Sequence, residues 1–315
     1  MKNPKVAAVT GHNVGFCLEF PSRTMIVGAG VTTTSPTGQL QEPPAALRFR
    51  RQLRFDTAMS ELWQARGLVR TLAERDLRVR YKRTFLGVGW AVINPVLFMV
   101  VFTFFFQKSA HIVTGGVPYA LFAYIALVPW SFFAQATSAG SASLLSNMSL
   151  LNKVYCPREV FPITAIITAG FDALVASAVL VMLFIAYGYP PATATVWVPL
   201  LVIIEVAFAL GLTLFMCSTL IYLRDLRYAV PLIVQLGMFI SPVAYSITAI
   251  PRGLRPYYDV LNPMGPILDS FRRTVLHNLA PDGTALALAG AASAVWLVGG
   301  YSVFKRLETG FADFA

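Results

Sequence analysis

The sequence predicts an all-α integral membrane protein with six transmembrane helices, and three observations carry that prediction. Of the 315 residues, 56% are apolar and 13% charged, with a mean hydropathy of +0.64; a soluble chain carries about 25% charged residues. The run RDLRVRYKRTFLGVGWAVINPVLFMVVFTFFF places five bases (Arg75, Arg78, Arg80, Lys82, Arg83) ahead of 21 uncharged residues, Phe85 to Phe105. At about 1.5 Å per residue, that stretch crosses a ~30 Å hydrocarbon core. Five more apolar stretches follow it, and the basic residues of the loops between them alternate in number.

Taken in order, residues 1–46 stand apart. VGAGVTTTSPTGQLQEPPAA is rich in Gly, Thr and Pro, the composition of a disordered leader. Residues 47–85 form a basic segment. Within it Leu62, Ala65, Val69 and Leu72 recur at helical spacing from Glu61 to Lys82, with Glu61, Arg66, Arg70, Glu74 and Arg75 on other faces. A basic amphipathic helix beside a span lies in the membrane interface. It serves either as an anchor for the first span or as a surface for a partner.

The six spans are expected at about 86–107, 118–136, 160–187, 196–222, 228–247 and 285–304, a single integral domain with a tail at 305–315. Leu47 to Phe85 holds eleven Arg or Lys, against one (Lys108) in the next loop. Lys153 and Arg158, then Arg224 and Arg227, then Lys305 and Arg306 mark the later basic loops and tail, whereas Gly188 to Thr195 has no charge. Bases stay in the cytoplasm, so both termini are expected there. The fifth loop breaks the pattern with Arg252, Arg255, Arg272 and Arg273. Its Ile267, Leu268, Phe271, Val275 and Leu279 share one helical face, too short to span, with Asp269, Arg272 and Arg273 on other faces, and Pro251, Pro256, Pro263 and Pro266 cut it into pieces. Short re-entrant helices are expected there, either capping a pore or forming an inert cover.

A formal charge of +10 raises nucleic acid as a partner, but the bases crowd ahead of the first span rather than lining a groove. Orientation and anionic membrane lipid explain them without nucleic acid. Cys17, Cys156 and Cys217 are far apart and form no CxxC, so no disulfide framework or metal site is expected. No GxxxxGK[ST], HExxH or GxSxG occurs, so no catalytic residue is assigned. Any ATPase must come from another subunit.

Four groups are candidates for function. Asp172 and Glu205 fall inside spans, where a carboxylate costs roughly 2.5–3.5 kcal/mol unless it is paired or faces a polar cavity. They are relay residues of a carrier or inter-helix hydrogen-bonding groups. Aromatic residues crowd the first two spans, as interfacial belts or as platforms for sugar faces. SNMSLLNKVYCPREVFP, Ser146 to Pro162, is either a docking loop or a connector. The basic run is either a topology signal or a phosphate contact, since cations pair with phosphate oxygens. A transferase would need clustered acids, and Asp225, Asp259, Asp269 and Asp282 are scattered. A secondary carrier would need relay charges or internal repeats.

Five separated blocks also resemble one family. RDLRVRYKRTFLGVGWAVINP, NKVYCPREVFP, YLRDLRYAVPLIVQLGMFISPVAYS, LNPMGPILDSFRRTVL and FKRLETGFADFA are similar to segments of the permease subunits of polysaccharide and polyol-phosphate ABC exporters, which serve O-antigen, capsule and teichoic acid export. The resemblance covers residues 60–315 in one register; Cys156 departs from the more usual aromatic or apolar residue.

It implies a homodimer with two ATP-binding subunits that bring ATP and Mg, exporting a lipid-linked glycan across the bacterial inner membrane. Related permeases for a small hydrophobic drug or lipid are the nearest alternative. The resemblance implies an ATPase-coupling loop with Asn152, Lys153, Tyr155, Pro157, Arg158 and Glu159. It implies an interface or lipid-phosphate region with Arg75, Asp76, Arg78, Arg80, Tyr81, Lys82 and Arg83. Channel-lining candidates in the first and fifth spans are Trp90, Phe98, Phe102, Phe105, Phe239 and Tyr245. Phe271, Arg272 and Arg273 belong to implied outer gate helices.

Overall fold

The computed structural model describes residues 62–82, 84–109, 116–151, 156–190, 192–251, 253–308 and 311, all within one compact unit, Leu53–Ala315. The leader at 1–46 and part of the basic segment therefore lie outside the described residues. Among those described, every regular element is helical: α1 (Arg66–Tyr81), α2 (Gly89–Ser109), α3 (Tyr119–Ser141), the single turns α4 (Ser143–Ser146) and α5 (Met148–Leu151), α6 (Val160–Ala186), α7 (Val198–Tyr222), α8 (Leu226–Ile240), α9 (Arg255–Leu261), α10 (Met264–Val275) and α11 (Gly283–Leu307).

The helical period expected before the first span is present in α1. Val69 and Leu72 are buried, Arg66, Arg70 and Glu74 face outward, and Ala65 is partly covered. The buried stripe packs on Leu144, Val160, Phe161, Leu214 and Phe304, so α1 lies across one end of the bundle. That end is called the basic end below.

Among the described residues, five helices are long and apolar enough to cross a membrane: α2, α3, α6, α7 with its preceding 3-10 turn, and α11. This is a multi-pass membrane protein. α3 is the central column, buried along most of its length from Tyr119 to Ser141. By contrast α2 presents Leu97, Val100, Phe104 and Phe105 on its outer face. α7 and α11 approach closely. A Cβ on Gly300 would overlap the backbone of Gly211, and one on Gly211 would overlap that of Trp296 and Leu297. Small residues at such a contact let two helices share van der Waals surface where lipid offers no hydrophobic drive.

The fifth expected span, 228–247, differs. α8 has 15 residues, about 22 Å at 1.5 Å per residue, short of the ~30 Å core. Apolar residues continue past it, but Ser241 precedes Pro242, and a residue before proline is driven from the helical to the extended region. Ser241 sits at φ −80°, ψ 148°. The chain then turns back through α9 and α10, the short pieces the prolines were expected to impose. Pro256 stands in the first turn of α9 and Pro263 at the N-cap of α10.

Candidate functional site

A cavity of about 620 Å³ opens between α2, α3, α6 and α8 and reaches the end of α1. Helix-interior prolines lie on two of its walls, Pro95 of α2 and Pro231 of α8. Proline removes a helical hydrogen bond, so a polar cavity beside it eases the freed carbonyl. The lining is of two kinds. Trp90, Phe98, Trp130 and Phe132 supply rings. Asn94, Ser131, Gln135, Ser138 and Gln235 supply amides and hydroxyls.

Asp172 sits in the wall of this cavity, its side chain 13% exposed. Its Oδ2 accepts from Arg80 Nη1 at 2.6 Å and from Gln135 Nε2 at 2.6 Å, and its Oδ1 accepts from the Tyr81 hydroxyl. Burial, then the bond to Asp172, pushes the Tyr81 hydroxyl up to about 12, so it stays a donor at neutral pH. The intramembrane acid is thus paired with a base from outside the spans. That partner was missed in the sequence because it lies 92 residues away.

Arg80 also borders a second cavity of about 280 Å³, nearer the basic end. Arg75, Asp76, Ser143, Ser146, Asn147, Thr164 and Thr168 line it. Arg75 donates to Asn147 Oδ1 at 2.9 Å and bridges Asp76 at 2.8 Å. Of the basic run, Arg75 and Arg80 therefore face cavities, while Arg78 and Lys82 are exposed and line neither. Arg83 lies outside the described residues.

The other candidates separate. Among the ring residues, Trp90 and Phe98 line the large cavity. Phe102 is buried between Phe98 and Phe106, with centroids 6.0 and 5.7 Å away. Phe105 and Phe239 are exposed on the surface of the chain. Tyr245 donates to the carbonyl of Ile240 at 2.6 Å, closing the end of α8. In the loop before α6, Asn152, Lys153 and Tyr155 lie outside the described residues. Pro157 leads into α6, Arg158 donates to the Glu308 carbonyl at 2.8 Å, and Glu159 is buried against Lys305. Glu205 is buried in α7 with Oε1 unpartnered among the described residues.

At the far end, Phe271 is buried and Arg273 Nε donates to the Ala280 carbonyl at 3.3 Å. Arg272, expected on a different face from the apolar stripe, is 2% exposed. It donates to the carbonyls of Phe122 (3.2 Å), Pro242 (2.6 Å), Tyr245 (2.9 Å) and Val243, and its guanidinium stands 3.8 Å from the Phe122 ring centroid. Burial draws its pKa down to about 10, which leaves it protonated at neutral pH. Pro242, Val243 and Tyr245 are the residues at which the chain leaves α8. Arg272 therefore satisfies the carbonyls that the short fifth helix sets free.

The model of the ABC-2 type transporter family matches residues 67–276, across α1, the first four spanning helices and the α8–α10 turn. The chain belongs to that family. It is 30% identical over 255 residues, 80% of this chain and 97% of the relative, to the O-antigen export system permease protein RfbA of Myxococcus xanthus. Its identity to the RfbA protein of Klebsiella pneumoniae is 28% over 251 residues, 78% of this chain and 94% of the relative. To the polysialic acid transport protein KpsM of Escherichia coli it is 22% over 245 residues, 76% and 93% of the two chains. This ABC-2 permease is therefore similar along most of its length to proteins named for polysaccharide export.

Proposed function

We propose that this ABC-2 permease is the membrane subunit of an ATP-driven exporter that moves a lipid-linked polysaccharide outward across the bacterial inner membrane. The observation that carries the reading is the large cavity, lined by aromatic rings together with amides and hydroxyls, in a relative of O-antigen export permeases. Sugars offer an apolar face for Trp90 and Trp130 to stack on, and edge hydroxyls that Asn94, Gln135 and Gln235 can pair with. A drug or simple lipid would offer Asn94 and Gln235 no hydroxyls to pair with, whereas Gln135 already donates to Asp172.

The basic end faces the cytoplasm in this reading, and both termini lie there. Arg75 and Arg80 receive the lipid's phosphate at the mouth of the smaller cavity, by charge-assisted bonds. The loop from Ser146 to Arg158 docks on a separate ATP-binding subunit, which holds ATP and Mg. Two copies of the chain assemble with two such subunits, and α9 and α10 close the outer side.

The test is export and ATPase activity in proteoliposomes containing the chain and its candidate ATP-binding subunit. Co-purification with ATPase activity that falls in Tyr155→Ala or Arg158→Gln supports the reading. A well-folded chain that recruits no ATPase contradicts it. Arg80→Gln should lower export about tenfold with membrane insertion unchanged, the loss expected for one charge-assisted contact.

A further inference from the structure

We propose that Glu159 and Lys305 are a positioning pair that carries movement of the loop before α6 into the last span, α11. The inference rests on the permease reading above, because that loop is where an ATP-binding subunit would push. Glu159 stands at the head of α6, 2% exposed, and its carboxylate pairs with Lys305 Nζ in the last turn of α11. Lys305 also bridges Glu308 at 2.9 Å. One residue before Glu159, Arg158 donates to the Glu308 carbonyl at 2.8 Å and covers the Phe311 ring at 5.2 Å. From the opposite side Tyr222, the last residue of α7, donates its hydroxyl to the Leu307 carbonyl at 3.0 Å.

A loop needed only for connection or topology would leave these charges in water. Here the pair is desolvated, and removing Lys305 strands Glu159 as a buried charge, while removing Glu159 leaves Lys305 to Glu308 alone. The loop and the end of α11 must therefore move together. α11 in turn packs closely on α7, where the Gly211 and Gly300 backbones meet. A push on the loop then displaces the head of α6, α11 and α7 as one body. α2 and α8, which line the large cavity, stand outside that connection. Glu159 Oε2 has no partner among the described residues, an acceptor that a second arrangement of the loop would fill.

The experiment compares ATPase activity of the purified complex with the surface polysaccharide of cells expressing wild type, Glu159→Gln, Lys305→Met, the double variant and Lys305→Arg. Loss of folded complex lowers hydrolysis and export alike, so the ratio of the two reads coupling. In both single variants that ratio should fall about tenfold, with no further loss in the double variant, as for residues acting as one unit. Lys305→Arg, which keeps the charge, should hold the ratio within about twofold of wild type. Arg158→Gln leaves the buried pair intact and should lower the ratio about threefold, so the proposal stays open to test if a charge deletion fails to fold. Variants that hydrolyse and export in the wild-type ratio, or whose losses simply add, overturn the pair. A wild-type chain that recruits no ATP-binding subunit overturns the permease reading and the pair together.

Discussion

Arg80 and Arg272 place a guanidinium near opposite ends of α3, and they are held in different ways. Arg80 is bound by a carboxylate it shares with Tyr81 and Gln135, and a third of its side chain is exposed beside two cavities. Arg272 is sealed among four main-chain carbonyls contributed by α3 and by the turn after α8. A guanidinium that is a third exposed in its ion pair can exchange one anion for another at lower cost than a sealed one, since it remains partly hydrated. A guanidinium spread over several buried carbonyls has no alternative partner, and leaving them unpaired costs the full desolvation penalty. In the proposed reading the basic end exchanges ligands, whereas the far end holds a bent backbone in place.

The largest effect should come from breaking the fixed arginine. Arg272→Met strands four carbonyls and should cost about 3–5 kcal/mol, enough to abolish a monodisperse peak after detergent extraction. Thermal unfolding of any surviving protein checks the size. Gly300→Leu, which forces α7 and α11 apart, should cost about 1–3 kcal/mol as an overpacked contact. Asp172→Asn keeps the volume and a hydrogen-bond acceptor, so its stability loss should be about 1–2 kcal/mol. Export should fall far more than the melting temperature. If the two fall in step, Arg80 is a strut like Arg272 and the contrast between the ends disappears.

A smaller effect concerns pH at the head of α11. Asp282 caps that helix: the Thr284 hydroxyl donates to its carboxylate at 2.7 Å, and the Thr284 and Ala285 amides add to it. Its pKa is held below the ordinary carboxylate range, chiefly by the Thr284 hydroxyl. A depressed folded-state pKa adds stability above the unfolded value, near 3.9, and that stability is lost as pH falls through the folded value. Asp282→Ala should cost about 0.5–2 kcal/mol at pH 7, and the gap to wild type should narrow below about pH 4. A gap constant with pH would show that the cap does not act through charge.

How much of this was legible in the sequence depended on the range of the interaction. The face of α1 that holds Val69 and Leu72 follows from local periodicity, as does the cutting of the 248–284 segment by prolines. The length of the fifth helix did not follow, because hydropathy measures an apolar run and not where its hydrogen bonds end. Ser241–Pro242 carried the signal in the extended preference of a residue before proline. Arg272 read as a polar-face residue on its own helix. Only the return of the chain from α8 brings the carbonyls of residues 242–245 around it. Asp172 read as an isolated intramembrane acid and Glu159 as one residue of the coupling loop, because their partners, Arg80 and Lys305, are 92 and 146 residues distant. Of the aromatic candidates, sequence composition could not separate Trp90 and Phe98, which line the cavity, from Phe102 in the core and Phe105 at the surface.

The most direct test of the central claim is glycan export by proteoliposomes carrying Trp90→Ala or Gln235→Leu together with the ATP-binding subunit. Both residues line the large cavity, and neither side chain has a hydrogen bond or ring contact among the described residues. The expected result is a fall of about tenfold in export, the size of one lost stacking or hydrogen-bond contact, with the unfolding temperature unchanged. Export at the wild-type rate in both variants would mean that the glycan does not pass through this cavity.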